Sequence, residues 1–175
     1  MNRVKILIRN IVIILLLILV SCYINGVYIS KENCILDSLR ALYGTEREFV
    51  TEIDLTKASF TLMFDSDKKT VSMIGVEKHG PFYTAGNCSV GDKIDEDAPF
   101  DVFGYYSLNS GPIYYVYRND KNIDRVEVEL ENGTSFVLDE WIKDFAVMHI
   151  EALQWSNGLY RAYDQEGNFM YEITY

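Results

Sequence analysis

The hydrophobic period changes twice along this chain. Every residue from Ile11 to Val20 is apolar, and no acid precedes Glu32. Between Asn33 and Gly44 the apolar residues Ile35, Leu36, Leu39, Leu42 and Tyr43 recur at helical spacing. That spacing predicts one short helix from Cys34 to Tyr43, capped by Asn33 and stopped by Gly44. Beyond it the period becomes two. Ala58 to Phe64 and Thr70 to Glu77 are predicted strands, and Asp65 to Lys69 between them has hairpin-loop composition. His79-Gly80-Pro81 breaks the run, Phe82 to Thr84 resumes it, and polar Gly86 to Pro99 is expected to be loop. Phe100 to Leu108 is strand-like, with Gly104 marking a bulge or a close approach.

Asn109-Ser110-Gly111-Pro112 is the strongest break in this region and the expected boundary between two halves. Ile113 to Arg118 follows as a strand. Val126-Glu127-Val128-Glu129-Leu130 alternates strictly, so one face should be buried and the other solvated. Asn132-Gly133 then turns the chain into Thr134 to Leu138, the best short-range hairpin signal present. Phe145 to Leu153, Leu159 to Tyr163 and Phe169 to Tyr175 complete the meander, separated by turns at Ser156-Asn157-Gly158 and Asp164 to Asn168. The expected fold is mainly β, with antiparallel sheets packed as a β-sandwich or curled meander and one short N-terminal helix.

Charge placement gives the first segment a meaning. Arg3, Lys5 and Arg9 precede the apolar block, the arrangement of an export signal whose basic end stays in the cytoplasm. Ten apolar residues are fewer than the ~20 a spanning helix needs. Leu19-Val20-Ser21-Cys22 resembles the lipobox of bacterial lipoproteins. The resemblance implies a signal peptide over 1–21, a diacylglycerol thioether on Cys22 and a tether over 22–32 leading to an exported domain over 33–175. Two acyl chains hold a protein durably where one holds it marginally. The competing reading is an uncleaved signal anchor, with Ile11 to Ile29 free of charge and long enough to span. Both place everything after about residue 30 outside the cell.

Without residues 1–21 the chain keeps 154 residues, enough for one domain with a real core. Removing Arg3, Lys5 and Arg9 leaves 13 cations against 26 acids, a net charge of −13. Such a body is not expected to bind nucleic acid, whose phosphates it would repel. A basic protein, a basic peptide or a cell-wall component fits that charge better, although the charge also serves solubility alone. Cys34 and Cys88 are the two cysteines left after Cys22 and form a candidate disulfide in an exported domain. The bridge would be worth on the order of 3–4 kcal/mol by loop entropy; two buried free thiols are the alternative.

Candidate chemistry is sparse. Asp92, Asp95, Glu96, Asp97 and Asp101 gather in one segment, and Asp65 sits near Asp67, yet neither has the central glycine of an EF-hand loop. Asp164 to Asn168 alternates oxygen-bearing residues with its glycine misplaced. His79 and His149 are far apart, and no Cys-x-x-Cys occurs. No Gly-x-Ser-x-Gly is present. No cofactor and no catalysis are expected, and Glu127 with Glu129 read as a solvated strand face. Tyr105, Tyr106, Tyr114, Tyr115 and Tyr117 crowd both sides of the Asn109 break, on alternating faces, so part of them must be core.

The second half carries one further likeness. Ile123-Asp124-Arg125-Val126-Glu127-Val128, Glu131-Asn132-Gly133, Arg161 to Asn168 and the closing Tyr171-Glu172 resemble the C-terminal half of a group of small, uncharacterised cell-surface lipoproteins of Gram-positive bacteria. The hairpin from Phe60 to Ile74 resembles their N-terminal half more loosely. The resemblance implies compartment and fold and brings no activity with it.

Overall fold

The structure is a computed structural model that describes residues 2–42, 47–107, 110–150 and 156–175. Helix α1 (Asn2–Ile24) leads through a short strand β1 (Val27–Tyr28) to helix α2 (Lys31–Leu42). Strands β2 (Glu48–Asp54), β3 (Ala58–Asp65), β4 (Thr70–His79) and β5 (Phe82–Lys93) follow. Then come β6 (Phe100–Ser107), β7 (Gly111–Arg118), β8 (Arg125–Leu130), β9 (Ser135–Leu138), β10 (Phe145–His149), β11 (Gly158–Tyr163) and β12 (Phe169–Thr174). The protein is mainly β, and each strand pairing is antiparallel, as the period-two pattern predicts.

Three sheets stack as layers. The N-terminal sheet has the order β1-β5-β4-β3-β2, the middle sheet β10-β7-β6 and the C-terminal sheet β12-β11-β8-β9. The middle sheet is covered on both faces. Ile113, Tyr115 and Tyr117 of β7 join Phe60, Leu62, Val71 and Met73 of the N-terminal sheet in one apolar core. Tyr114 and Val116 point the other way and join Val126, Val128, Leu130 and Tyr160 of the C-terminal sheet in a second core. The tyrosine crowding around the β6–β7 connection is therefore packing. Tyr105, Tyr114, Tyr115 and Tyr117 are all buried, and Phe103 stacks on Tyr115 at 5.3 Å between ring centres. Tyr114 donates its hydroxyl proton to the Ser156 carbonyl at 2.9 Å, so its one polar group is satisfied inside the second core.

Helix α2 forms a fourth layer on the outer face of the N-terminal sheet. Ser59, Thr61, Ser72, Ile74 and Val76 alternate with the first-core residues of β3 and β4, yet they too are buried. Part of the cover is α2, which packs against β4 and β5 with Cys34 and Ser38 buried inward, while Arg47 and the Gly91 amide reach Ser72. A salt bridge fixes its start: Lys31 Nζ lies 2.6 Å from Glu52 on β2.

Several expectations are revised. The cap of α2 is Ser30, whose Oγ accepts from the Asn33 amide at 3.3 Å, so the helix begins at Lys31, upstream of the Asn33 cap read from periodicity. Tyr43 and Gly44, read as its end, lie outside the described residues. The segment from Gly86 toward Pro99 is strand as far as Lys93, because β4 offers β5 a full-length partner. Register shifts opposite Val71–Ser72 and Ile74–Val76 break the alternation, and Gly91 at φ +67° takes a left-handed turn, so the pattern reads as loop. Strand β2 likewise breaks the period of two, with a bulge between Phe49 and Thr51.

The expected tether is structured. Residues 22–24 finish α1, and Val27 and Tyr28 pair with Thr84 and Tyr83 of β5. The Asn109–Pro112 break lies inside the hairpin β6–β7, which pairs from Phe100↔Arg118 to Ser107↔Gly111. Leu108 and Asn109, and residues 151–155 at the expected end of the Phe145 strand, lie outside the described residues.

Candidate functional site: the N-terminal leg

Helix α1 owes its length to more than the ten-residue apolar block. Its apolar span runs from Val4 to Ile24, 21 residues of mean hydropathy 2.6, with none of it buried against the protein. At a rise of about 1.5 Å per residue such a helix covers about 30 Å, the thickness of a bilayer's hydrocarbon core. The helix is long and apolar enough to cross a membrane, because it tolerates Lys5 and Arg9 near one end. It stops at Gly26, whose φ of +70° suits the residue after a helix. The Gly26 amide bonds the Tyr23 carbonyl at 3.1 Å, and Asn25 Nδ2 donates to the Ser21 carbonyl at 2.7 Å.

Cys22 therefore sits in the last turn of α1, half-buried, as a free thiol. It borders an open hollow of about 700 Å³ with Leu19, Tyr23, Tyr28, Ile29 and Leu36. Tyr23, Ile24, Ile29 and Leu36 are exposed beside it. The far wall is held by polar contacts. Tyr28 donates to Asp37 Oδ2 at 3.0 Å, and burial, helped by the Asp37 carboxylate, raises its phenol above the ordinary value. The hydrogen bond to Glu52 likewise raises the Lys31 ammonium. The end of α1, β1 and α2 thus form one leg, braced at the start and the middle of α2.

The other sequence candidates are not gathered into a site. Cys34 and Cys88 are free thiols in the structure, with no S–S bond between them. Burial pushes the Cys34 thiol up to about 11, with the nearby Cys88 sulfur adding to the effect, and burial raises Cys88 as well. His79 lies 3.5 Å from Glu77 at the exposed end of β4, while His149 Nε2 contacts the Ser110 carbonyl at the end of β10.

The acids serve turns. Asp101 accepts from the Asp95 amide at 2.9 Å and Asp95 from the Asp97 amide at 3.1 Å. Burial raises the Asp101 carboxyl. Asp65 is buried and accepts the Lys68 amide at 3.0 Å, and Asp164 accepts from the side chain and amide of Asn168 and the amide of Glu166. Among the described residues, no three His, Cys, Asp or Glu side chains are placed to hold a metal ion. Glu127 and Glu129 lie on the outer face of the C-terminal sheet beside Arg125 and Arg161.

One cluster had no signal in the sequence. Trp141 to Phe145 makes a two-residue hairpin in which Ile142 and Phe145 exchange backbone bonds of 2.7 and 2.9 Å. Its central residues, Lys143 at φ +50° and Asp144 at φ +68°, take the left-handed conformation that Asn-Gly usually supplies. Their side chains explain the choice. Asp144 reaches Arg118 at 3.2 Å and Lys121 at 2.6 Å, and Lys143 reaches Glu48 and the Phe49 carbonyl on β2. Trp141 donates its ring N–H to the Asp124 carbonyl at 2.5 Å, with the Arg118 guanidinium 4.5 Å above its ring. The hairpin clamps all three sheets together at one end. Burial works against the Asp144 charge, yet Lys121 and Arg118 hold its carboxyl below the ordinary range.

No family model, no curated protein and no solved structure matches the chain.

Proposed function

We propose that this protein is a lipoprotein of the extracytoplasmic membrane face, held through Cys22, and that its β domain is a non-catalytic binding or structural module. The observation that carries the reading is α1: a 21-residue apolar span, none of it buried among the described residues, ending in a segment that presents Cys22. An exposed apolar helix of that size is stable only in an apolar medium. The lipobox-like Leu19 to Cys22, and the likeness to small cell-surface lipoproteins of Gram-positive bacteria, support lipid attachment at that cysteine. The acidic domain then faces outward, where a basic protein, a basic peptide or a cell-wall component is its natural partner class.

A second reading rests on a specific observation. Helix α1 runs unbroken through Cys22 to Ile24, so the uncut chain serves equally as a signal anchor. Replacing Cys22 with Ala separates the two. Lipid attachment predicts that C22A accumulates as an uncleaved precursor, identified by mass, and takes up no labelled fatty acid. A signal anchor predicts unchanged mass and unchanged membrane retention.

A further inference from the structure

The layer under α2 is an unusual place for a helix to rest. A twelve-residue helix is marginal without a partner surface, and this one keeps Leu36 exposed. What lies beneath it is only partly apolar: Ile74 and Val76 are surrounded by Ser59, Thr61, Ser72 and Ser38. The Thr61 hydroxyl is buried on the same sheet face without a hydrogen-bond partner among the described residues. Apolar burial alone gives this contact little strength, yet α2 joins the membrane leg to the domain.

The two remaining cysteines face this layer, Cys34 from α2 and Cys88 from β5. Cys34 is fully buried on the inward face of α2, which packs on β4 and β5. The cross-strand row Glu52↔Thr61↔Ile74↔Cys88 places Cys88 on the sheet face that α2 covers, since residues opposite one another point the same way. The Lys31–Glu52 salt bridge confirms that face from the other end of the row. A charge on Cys88 also acts against ionisation of Cys34.

We infer that Cys34 and Cys88 are a redox pair that closes into a disulfide, fastening α2, and through it the membrane leg, to β5 of the N-terminal sheet. This rests on the extracytoplasmic placement proposed above for its oxidising surroundings, and on the layer geometry for the choice of partners. The oxidant is a protein or small-molecule disulfide. The thiolate of half-buried Cys88 attacks it, forming a mixed disulfide and releasing one thiolate. The Cys34 thiolate then displaces the second, closing the bridge. Two electrons pass to the oxidant, and the two thiol protons end on its released thiolates. Burial keeps both thiolates scarce once α2 is seated, so closure is fast while α2 is still docking and slow in the folded, reduced protein.

The test uses the full chain carrying Cys22→Ala, purified in detergent and refolded with oxidised glutathione. After denaturation without reductant, iodoacetamide should leave both cysteines unlabelled, and peptide mapping should recover Cys34 joined to Cys88. Reductant should then lower the melting temperature of this protein and leave Cys34→Ser/Cys88→Ser in the same background unaffected. Two alkylated cysteines, glutathione adducts alone, or bridges only between chains would overturn the pairing. Mapping needs no folded variant, so a double mutant that fails to fold does not remove the test. Acid-trapping the wild-type chain from cells is a separate readout: a pair that closes in the tube but stays reduced in the cell counts against the placement and leaves the pairing standing.

Discussion

The N-terminal and C-terminal sheets flank the same middle sheet, yet they are built on different terms. The C-terminal sheet buries one face. Val126, Val128 and Leu130 enter the second core, while Glu127 and Glu129 meet Arg125 and Arg161 in solvent. The N-terminal sheet buries both. Phe60, Leu62, Val71 and Met73 enter the first core, while Ser59, Thr61, Ser72 and Ile74 are buried on the opposite face, which α2 covers in part. A sheet with one wet face writes its register into alternating residue types. A sheet covered twice writes a nearly continuous buried run, and its second face needs a separate element to hold the cover in place. The N-terminal leg is attached to the doubly covered sheet, so α1 joins the domain through α2 and β1, not through the outer meander.

The largest effect is expected from truncating a buried side chain of the N-terminal sheet, set against the same kind of truncation on the wet face of the C-terminal sheet. Leu62→Ala removes a fully buried side chain between two layers and should cost about 2–5 kcal/mol. Val137→Ala on β9, 43% exposed, should stay within about 0.5 kcal/mol. Urea unfolding followed by circular dichroism measures both. Equal losses would mean that the C-terminal sheet is covered by something on its outer face.

An intermediate effect is expected at the clamp that ties the sheets together. Asp144→Asn keeps a residue tolerant of the left-handed backbone and removes only the charge. The folded carboxyl is held below its ordinary range by Lys121 and Arg118, so it stabilises the protein above the unfolded value and that contribution disappears as pH falls through the lowered folded value. The variant should lose about 1 kcal/mol at neutral pH, a figure reduced for its partly exposed partners, and the gap should close in strong acid. Urea midpoints across that pH range give the answer, and a gap that persists in acid would assign the loss to packing.

The smallest effect belongs to the wet face. Arg161 bridges Glu129 at 3.3 Å and Glu172 at 3.0 Å across β8, β11 and β12, and all three side chains are solvated. Glu129→Gln should leave the melting temperature within measurement error, because water and salt screen the pair. A clear drop would show that this face is less open than the exposed side chains imply.

These contrasts also explain how far the sequence could be read. The hairpin Val126 to Leu138 and the strand Leu159 to Tyr163 were legible because solvent on one face forces polar residues into alternate positions and Asn132-Gly133 marks the turn. Strand β5 beyond Thr84 was not legible, because its bulges and Gly91 scramble the alternation and pairing along β4 makes it a strand. The Lys143-Asp144 turn was not legible either, since its left-handed backbone is held by Arg118, Lys121 and Glu48, which lie far away along the chain.

The chain by itself determined the apolar N-terminal helix, the mainly β antiparallel class and the marked turns. Each follows from local periodicity and from residues that fix φ on their own. Tertiary structure alone decided that the tyrosine-rich β7 lies between two sheets, that Ser30 starts the leg helix and that α2 covers the N-terminal sheet. It also decided that buried Cys34 and half-buried Cys88 lie on two elements that pack together, α2 and β5. Those facts depend on which faces meet, and a period of two gives the two faces of a strand without saying what covers either one.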